Sequence, residues 1–193
     1  MMRRQTCSTP WWTVHYISNS IEDDEKTVLV KGLDAQQYVV SEDGSLIAYQ
    51  ADGELGTATK VSILNVGTGK KQKITCSEGE CIRPLGFIRS DFVYGIAKTE
   101  DIGNTVSGEA TVPMYKLEIR NQKGKVIKTY QTDGIYILNA AFDEDMITLE
   151  RASKDGDTYT ATAPDYITNN EQKTKSNITL ETYATDLKQT QVR

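Results

Sequence analysis

Residues that could support nucleophilic catalysis are few in this sequence. There is one histidine, His15, and no GxSxG motif, so a serine hydroxyl would have no evident base to activate it. The segment GTGKK at 67–71 differs from a phosphate loop, because Leu64 replaces its first glycine and Lys71 replaces its Ser or Thr. We therefore expect a protein that is not an enzyme and needs no cofactor.

Carboxylate clusters are the next candidates, because hard oxygen ligands suit calcium. The segments 22–25 (EDDE), 143–145 (DED) and 155–157 (DGD) each place two or more carboxylates close together. None has the spacing of an EF-hand loop, and each falls where a turn is expected, so solvated turns are the favoured interpretation. Asp155 and Asp157 are the best calcium candidates, and no other metal site is predicted.

The sequence contains three cysteines, and it leaves open whether two of them form a disulfide. Cys76 and Cys81 flank an SEGE turn, where either a small disulfide loop or two unpaired thiols would fit, and Cys7 is left over. A zinc site is not expected, because there is no CxxC spacing and His15 is distant in sequence.

The densest aromatic patch is formed by Trp11 and Trp12 with Tyr16. Adjacent strand residues face opposite sides, so one indole is expected to be buried and the other to point outward. An outward indole could stack on a sugar or clamp a partner, whereas core or inter-sheet packing is the alternative. Both tryptophans are therefore candidate ligand-binding residues.

The bulk composition indicates an ordinary water-exposed surface. The chain has 193 residues, enough for one domain or two small ones, and its net charge of −5 is spread along the sequence. That spread argues against nucleic acid or an anionic membrane surface as the main partner. No apolar run approaches the roughly 18 residues of a membrane span, and the first residues have basic side chains but no apolar region behind them, so no export signal is expected there.

Strand signals recur in groups of four. After QQYVV come the turn SEDG, the strand SLIAYQA, the polar loop DGELGTAT, the strand KVSILNV, the turn GTGK and the strand KQKIT. Three segments follow this order: 36–76, 82–131 and 135–163. Their first breaks place Asp43, Asp91 and Asp145 at equivalent positions. A period of about 40 to 55 residues with four strands each is typical of a propeller blade.

The ends of the chain are less regular. Residues 11–31 predict a hairpin that would be a partial unit, and 164–193 predicts a polar loop followed by one more strand. The fold expected for 1–193 is therefore a single all-β domain or fragment, a propeller-like array that is partial or has few blades.

The segment 36–76 resembles the TolB-like, WD40-like bacterial propeller repeats. The matching residues are Ser41, Asp43, Gly44, Ile47, Ala48, Tyr49, Thr68, Gly69, Ile74 and Thr75. Two departures are Glu42 in place of the usual proline and Asn65 near the usual aspartate. The resemblance implies a propeller fold and an extracytoplasmic or cell-surface location in a bacterium, and it says little about activity.

We therefore expect a non-catalytic binding or scaffold module whose protein or small-molecule partner is unknown. The loops 51–59 and 99–111 occupy the same place in successive units and should emerge on one face. The predicted interaction residues there are Asp52, Glu54, Glu100, Asp101 and Asn104. The alternatives are an accessory propeller of a larger enzyme, such as a prolyl-oligopeptidase-like peptidase, and a carbohydrate-binding β module. An exposed strand edge would also permit homo-oligomers.

Overall fold

The computed structural model describes residues 14–19, 26–143, 145–168, 181–185 and 188–192, with side chains from Leu33 to Thr168 except at position 144. Within these residues the chain is all-β, as predicted, and its one helical element is a 3₁₀ turn at Thr99–Asp101. No helix in the described part has the length and apolar character needed to cross a membrane.

The described strands are numbered in chain order. They are β1 (Val14–Asn19), β2 (Lys26–Leu33), β3 (Tyr38–Val40), β4 (Leu46–Gln50), β5 (Lys60–Asn65), β6 (Lys71–Thr75), β7 (Glu80–Ile88), β8 (Asp91–Lys98), β9 (Gly103–Thr105), β10 (Ala110–Thr111), β11 (Met114–Arg120), β12 (Val126–Gln131), β13 (Ile135–Asp143), β14 (Met146–Asp155), β15 (Thr158–Ala161), β16 (Asp165–Thr168), β17 (Glu181–Thr185) and β18 (Lys188–Val192).

Strands β3 to β6 form a four-stranded antiparallel sheet in sequential order. The residues of the β3–β4 turn suit its backbone. Gly44 adopts a positive φ of 70°, and its N–H donates a hydrogen bond to the carbonyl of Ser41 at 2.9 Å. Asp43 accepts hydrogen bonds from the hydroxyls of Ser41 and Ser45, at 2.7 and 2.9 Å. The hairpin predicted here is confirmed.

A ten-stranded sheet contains two further antiparallel groups. In one group β7, β8, β11 and β12 pair in that order. In the other, β13 pairs with β14, whose second edge pairs with β15 and β16. The groups are joined by one antiparallel residue pair, Met114 with Ile137. The connection between β8 and β11 also reaches the group of β13 to β16, which is the third group of strands, because β9 pairs in parallel with β15.

Strand β8 is buried on both faces, which explains its continuous apolar sequence FVYGIA. Phe92, Tyr94 and Ile96 belong to a core cluster shared with the β3–β6 sheet. Val93 and Ala97 point the other way, into a cluster shared with β11, β13, β14 and β16. One strand therefore separates two cores, and the three groups of strands are layered face against face.

Glycine allows close approach at two positions, Gly95 beside the paired strand β11 and Gly86 beside β13 of the neighbouring group. The side chain of Met114 occupies the place that a Cβ on Gly95 would need, and a Cβ on Gly86 would lie 2.5 Å from the ring of Phe142. Residues 86 and 95 therefore have no room for a side chain while Phe142 and Met114 keep their positions.

The predictions for the two ends of the chain are confirmed in part. The N-terminal hairpin is confirmed, because β1 pairs with β2 in antiparallel fashion. The polar loop expected from residue 164 is wrong in part, since β16 pairs with β14 there. The single strand expected near the C-terminus is a hairpin of β17 and β18. The segment DYIT is too short to display an alternation that distinguishes it from a loop.

Candidate functional site

Asp52 shapes the loop 51–59 between β4 and β5. Its carboxylate accepts hydrogen bonds from the backbone N–H groups of Thr59 and Lys60, at 3.0 and 2.8 Å, and from the Thr59 hydroxyl at 2.6 Å. The Lys60 ammonium lies 3.4 Å from it. Partial burial raises the pKa of Asp52, but these hydrogen bonds and the Lys60 charge outweigh it and hold the pKa below its ordinary 3.8.

Asp101 plays a corresponding part in the loop 99–111. It is 9% exposed, and its carboxylate accepts a hydrogen bond from the Lys154 ammonium at 2.6 Å. Its backbone carbonyl accepts a second one from the Tyr159 hydroxyl, also at 2.6 Å. The bond to Asp101 raises the pKa of Lys154 above its ordinary value. Asp101 thus fastens its loop to β14 and β15, and it is not a free ligand.

The two predicted loops lie against each other. A Cβ built on Gly56 would be 2.9 Å from Ile102 Cδ1 and 3.4 Å from Val112 Cγ2. The β14–β15 turn joins them, because Asn104 pairs with Thr158. We call the segments 51–59, 99–111 and 155–157 together the acidic end.

The acidic end is rich in carboxylates and contains no lysine or arginine. Its acidic residues are Asp52, Glu54, Glu100, Asp101, Glu109, Asp155 and Asp157. Basic residues on the flanking strands pair with some of them, as Lys98 does with Glu100 at 3.9 Å. Glu54 and Glu100 are exposed at this end, whereas Asp52 and Asp101 are held by structural partners.

Sequence reasoning missed the apolar residues of the acidic end. Leu55, Ile102 and Val106 are 38%, 41% and 70% exposed. Each stands alone among polar loop residues, where the sequence pattern gives no reason for a large apolar side chain. Singly exposed apolar side chains are common on protein surfaces, so the sequence carried no signal that set these three apart.

The other predicted sites find less support. Asp155 ends β14 and Asp157 lies in the turn that follows, both exposed, and no three His, Cys, Asp or Glu side chains among the described residues converge as a metal site would require. Trp11 and Trp12 lie outside the described residues. Cys76 and Cys81 are unpaired thiols, and burial raises the pKa of Cys81 to about 11, so it is not an activated nucleophile. Cys7 also lies outside the described residues.

A groove of about 610 Å³ lies between the first strands of the three groups, β3, β7 and β13. Its aromatic lining residues are Tyr38, Phe87 and Phe142, and its charged ones are Glu42, Arg89 and Asp143. The Arg89 guanidinium binds Asp145 at 2.6 Å, which ties the β7–β8 turn to the β13–β14 turn. None of the predicted site residues lines this groove.

Comparison with known proteins adds no family. No protein-family model matches the chain, and a search of curated proteins finds no match either. The resemblance of 36–76 to TolB-like repeats therefore stays a prediction that depends on the residues of that segment.

Proposed function

We propose that the chain is a non-catalytic binding module of the propeller type, whose partner docks on the acidic end. Three layered groups of antiparallel strands support the architecture, and each group begins with a strand that lines the common groove. The resemblance to bacterial TolB-like repeats favours an exported or cell-surface setting.

The observation that carries the proposal is the exposure of Leu55, Ile102 and Val106 among carboxylates on a fixed scaffold. Asp52 braces one loop from inside, and Asp101 ties the other to β14 and β15. Because the loops are already ordered, a partner would lose little binding free energy to ordering them.

The chemistry of the acidic end selects the class of partner. Exposed apolar side chains provide contact area, and the carboxylates around them favour positive charge while repelling acidic surfaces. The partner is therefore a protein segment that combines apolar residues with lysine or arginine.

A random peptide library displayed on phage, selected on the purified chain, tests this function. Selected peptides should contain both basic and apolar residues. The double variant Leu55→Ser/Ile102→Ser should bind a synthetic version of a selected peptide roughly tenfold more weakly than the original chain does, or worse. The charge reversal Glu54→Lys/Glu100→Lys should weaken it too, and it changes only exposed side chains.

Ile127→Ser is the matched control, because Ile127 is 51% exposed on β12, outside the acidic end. It should leave peptide binding unchanged. Selected peptides that lack basic residues, or that bind both double variants as tightly as the original chain, would exclude the acidic end as the docking surface.

A further inference from the structure

Lysines collect at the opposite end of the strands from the acidic end. The loop 51–59 precedes β5 and the turn 66–70 follows it, just as 99–111 precedes β11 and the turn 121–125 follows it. The start of β6 lies beside the turn 121–125, since Gln72 Nε2 donates a hydrogen bond to the Gln122 carbonyl at 2.8 Å. We call the lysines of these two turns and of the strands β6 and β12 that follow them the lysine end: Lys70, Lys71, Lys73, Lys123, Lys125 and Lys128.

Both turns are ordered by the same device. Asn65 Oδ1 accepts a hydrogen bond from the Thr68 N–H at 2.9 Å. Asn121 Oδ1 accepts from the N–H groups of Lys123 and Lys125, at 3.1 and 3.0 Å. The backbone that carries the lysines is therefore fixed, and only their side chains need ordering when an anion binds.

Few carboxylates lie near the six lysines of the lysine end. Neither 66–75 nor 121–131 contains an acidic residue, and all six lysines are exposed. The nearest carboxylate along β11, Glu118, accepts a hydrogen bond from Tyr94 and pairs with Lys116 at 3.2 Å. As far as the described residues show, the positive charge is therefore available to a ligand.

Protection of the strand edges explains only part of this cluster. Lysines on the outermost strands β6 and β12 would discourage pairing with another chain. Lys70, Lys123 and Lys125 lie in the turns, outside the strands, where no ladder needs protection. Edge protection therefore does not account for these three lysines.

The composition of the lysine end favours a lipid surface over nucleic acid. Every basic residue in the two segments is lysine, a point charge that cannot make the bidentate contacts by which arginine reads phosphates or bases. The one aromatic residue in them, Tyr130, is partly buried against the core cluster that contains Val93 and Ala97, and its hydroxyl donates to Asp165 at 2.8 Å. Stacking on bases therefore has no free platform here.

An exposed apolar side chain completes the surface. Ile127 is 51% exposed, and it lies next to Lys128 and two residues from Lys125. Lysines beside an exposed apolar residue suit the boundary between anionic headgroups and acyl chains. The net charge of −5 argues against an anionic membrane as the main partner of the whole chain, but the segments 66–75 and 121–131 carry six lysines and no carboxylate. We propose that the lysine end binds the surface of an anionic lipid membrane, independently of the partner that docks on the acidic end.

Co-sedimentation with vesicles tests this proposal. The chain should bind vesicles of phosphatidylserine in phosphatidylcholine, bind phosphatidylcholine alone much more weakly, and lose binding as salt is added. The double variant Lys70→Gln/Lys125→Gln should bind the anionic vesicles roughly tenfold more weakly or worse. Ile127→Ser should weaken vesicle binding as well, because it removes the apolar contact.

Lys60→Gln/Lys98→Gln is the matched control, because it removes the same charge near the acidic end, and it should retain vesicle binding. Equal loss in both double variants would mean that net charge alone is at work and would overturn the proposal. Binding to double-stranded DNA without binding to vesicles would overturn it too. So would a dimer, seen by light scattering, that Lys70→Gln/Lys125→Gln dissociates while vesicle binding is absent.

Discussion

At the residue scale, Asp52 holds its loop most strongly while its carboxylate is ionised. It accepts three hydrogen bonds, two from backbone N–H groups and one from a hydroxyl, and a protonated carboxyl would weaken all of them. Its pKa is lower in the folded chain than its ordinary 3.8. Asp52 therefore adds stability above its ordinary pKa, and that contribution is lost as the pH falls through the folded value.

Replacing Asp52→Asn should consequently have a pH-dependent cost. At neutral pH the variant should lose about 1 kcal/mol of unfolding free energy, as removal of a capping side chain does. The difference from the original chain should shrink below pH ~4. Urea unfolding at a series of pH values measures it, with Glu54→Gln in the same loop as the control. A cost that stays constant down to pH ~2 would contradict this role.

The partners of Asp52 and Asp101 mark the limit of what the sequence predicts about the site. The sequence placed both residues in the right loops and suggested that those loops share a face. It could not show that Asp101 is already bound, because Lys154 is 53 positions away in the chain. A carboxylate in a polar loop has the same sequence pattern whether its oxygens face water or a distant lysine.

At the element scale, β9 and β10 fasten the long connection between β8 and β11 to β15, and we call this pair of short strands the brace. β9 is three residues long and pairs in parallel with β15, which belongs to the third group of strands. The Tyr159 hydroxyl adds a hydrogen bond to the Asp101 carbonyl at 2.6 Å, and Tyr159 itself is 2% exposed. The brace therefore depends on one buried phenol as well as on backbone pairing.

Tyr159→Phe should loosen the brace without unfolding the sheets. The change leaves the Asp101 carbonyl without this donor in a buried place, which costs about 1 to 3 kcal/mol. Hydrogen exchange should accelerate in β9 and β10 more than in β4 and β5. Tyr166→Phe is the control, because Tyr166 is 55% exposed, and it should change exchange at neither place. Equal acceleration in all four strands would show that the hydroxyl supports global stability instead.

Most strands could be predicted from the sequence, whereas the brace could not. In β4 and β8 a run of apolar residues bounded by turns gives a strong strand signal. β9 and β10 have three and two residues, too few for any period, and the partner strand β15 lies more than fifty residues further on. Pairing across that distance depends on how the layers stack, which local patterns do not encode.

At the scale of the whole molecule, β8 couples the two core clusters. Its alternate residues contact the β3–β6 sheet on one side and the third group of strands on the other. Loss of packing in either cluster therefore disturbs a strand that the other cluster needs.

Ile96→Val and Ile147→Val should accordingly shift one shared unfolding transition. Ile96 lies in the first cluster and Ile147 in the second, and each truncation should cost about 0.5 to 1.5 kcal/mol. Hydrogen exchange under mild denaturant should show that each variant speeds global exchange in β5 and in β14 alike. If Ile96→Val affected β5 alone, the two clusters would be separate cooperative units.

The separation of the acidic end from the lysine end also gives the part of the chain from 33 to 168 an electric dipole along its strands. Charged surfaces exert a torque on such a dipole within a Debye length, about 8 Å at physiological ionic strength. Near a negative plane the lysine end would rotate toward it before any contact forms. The protein would then reach the surface already oriented, with Leu55 and Ile102 facing the solution. This orientation would weaken as added salt shortens the range of the electric field.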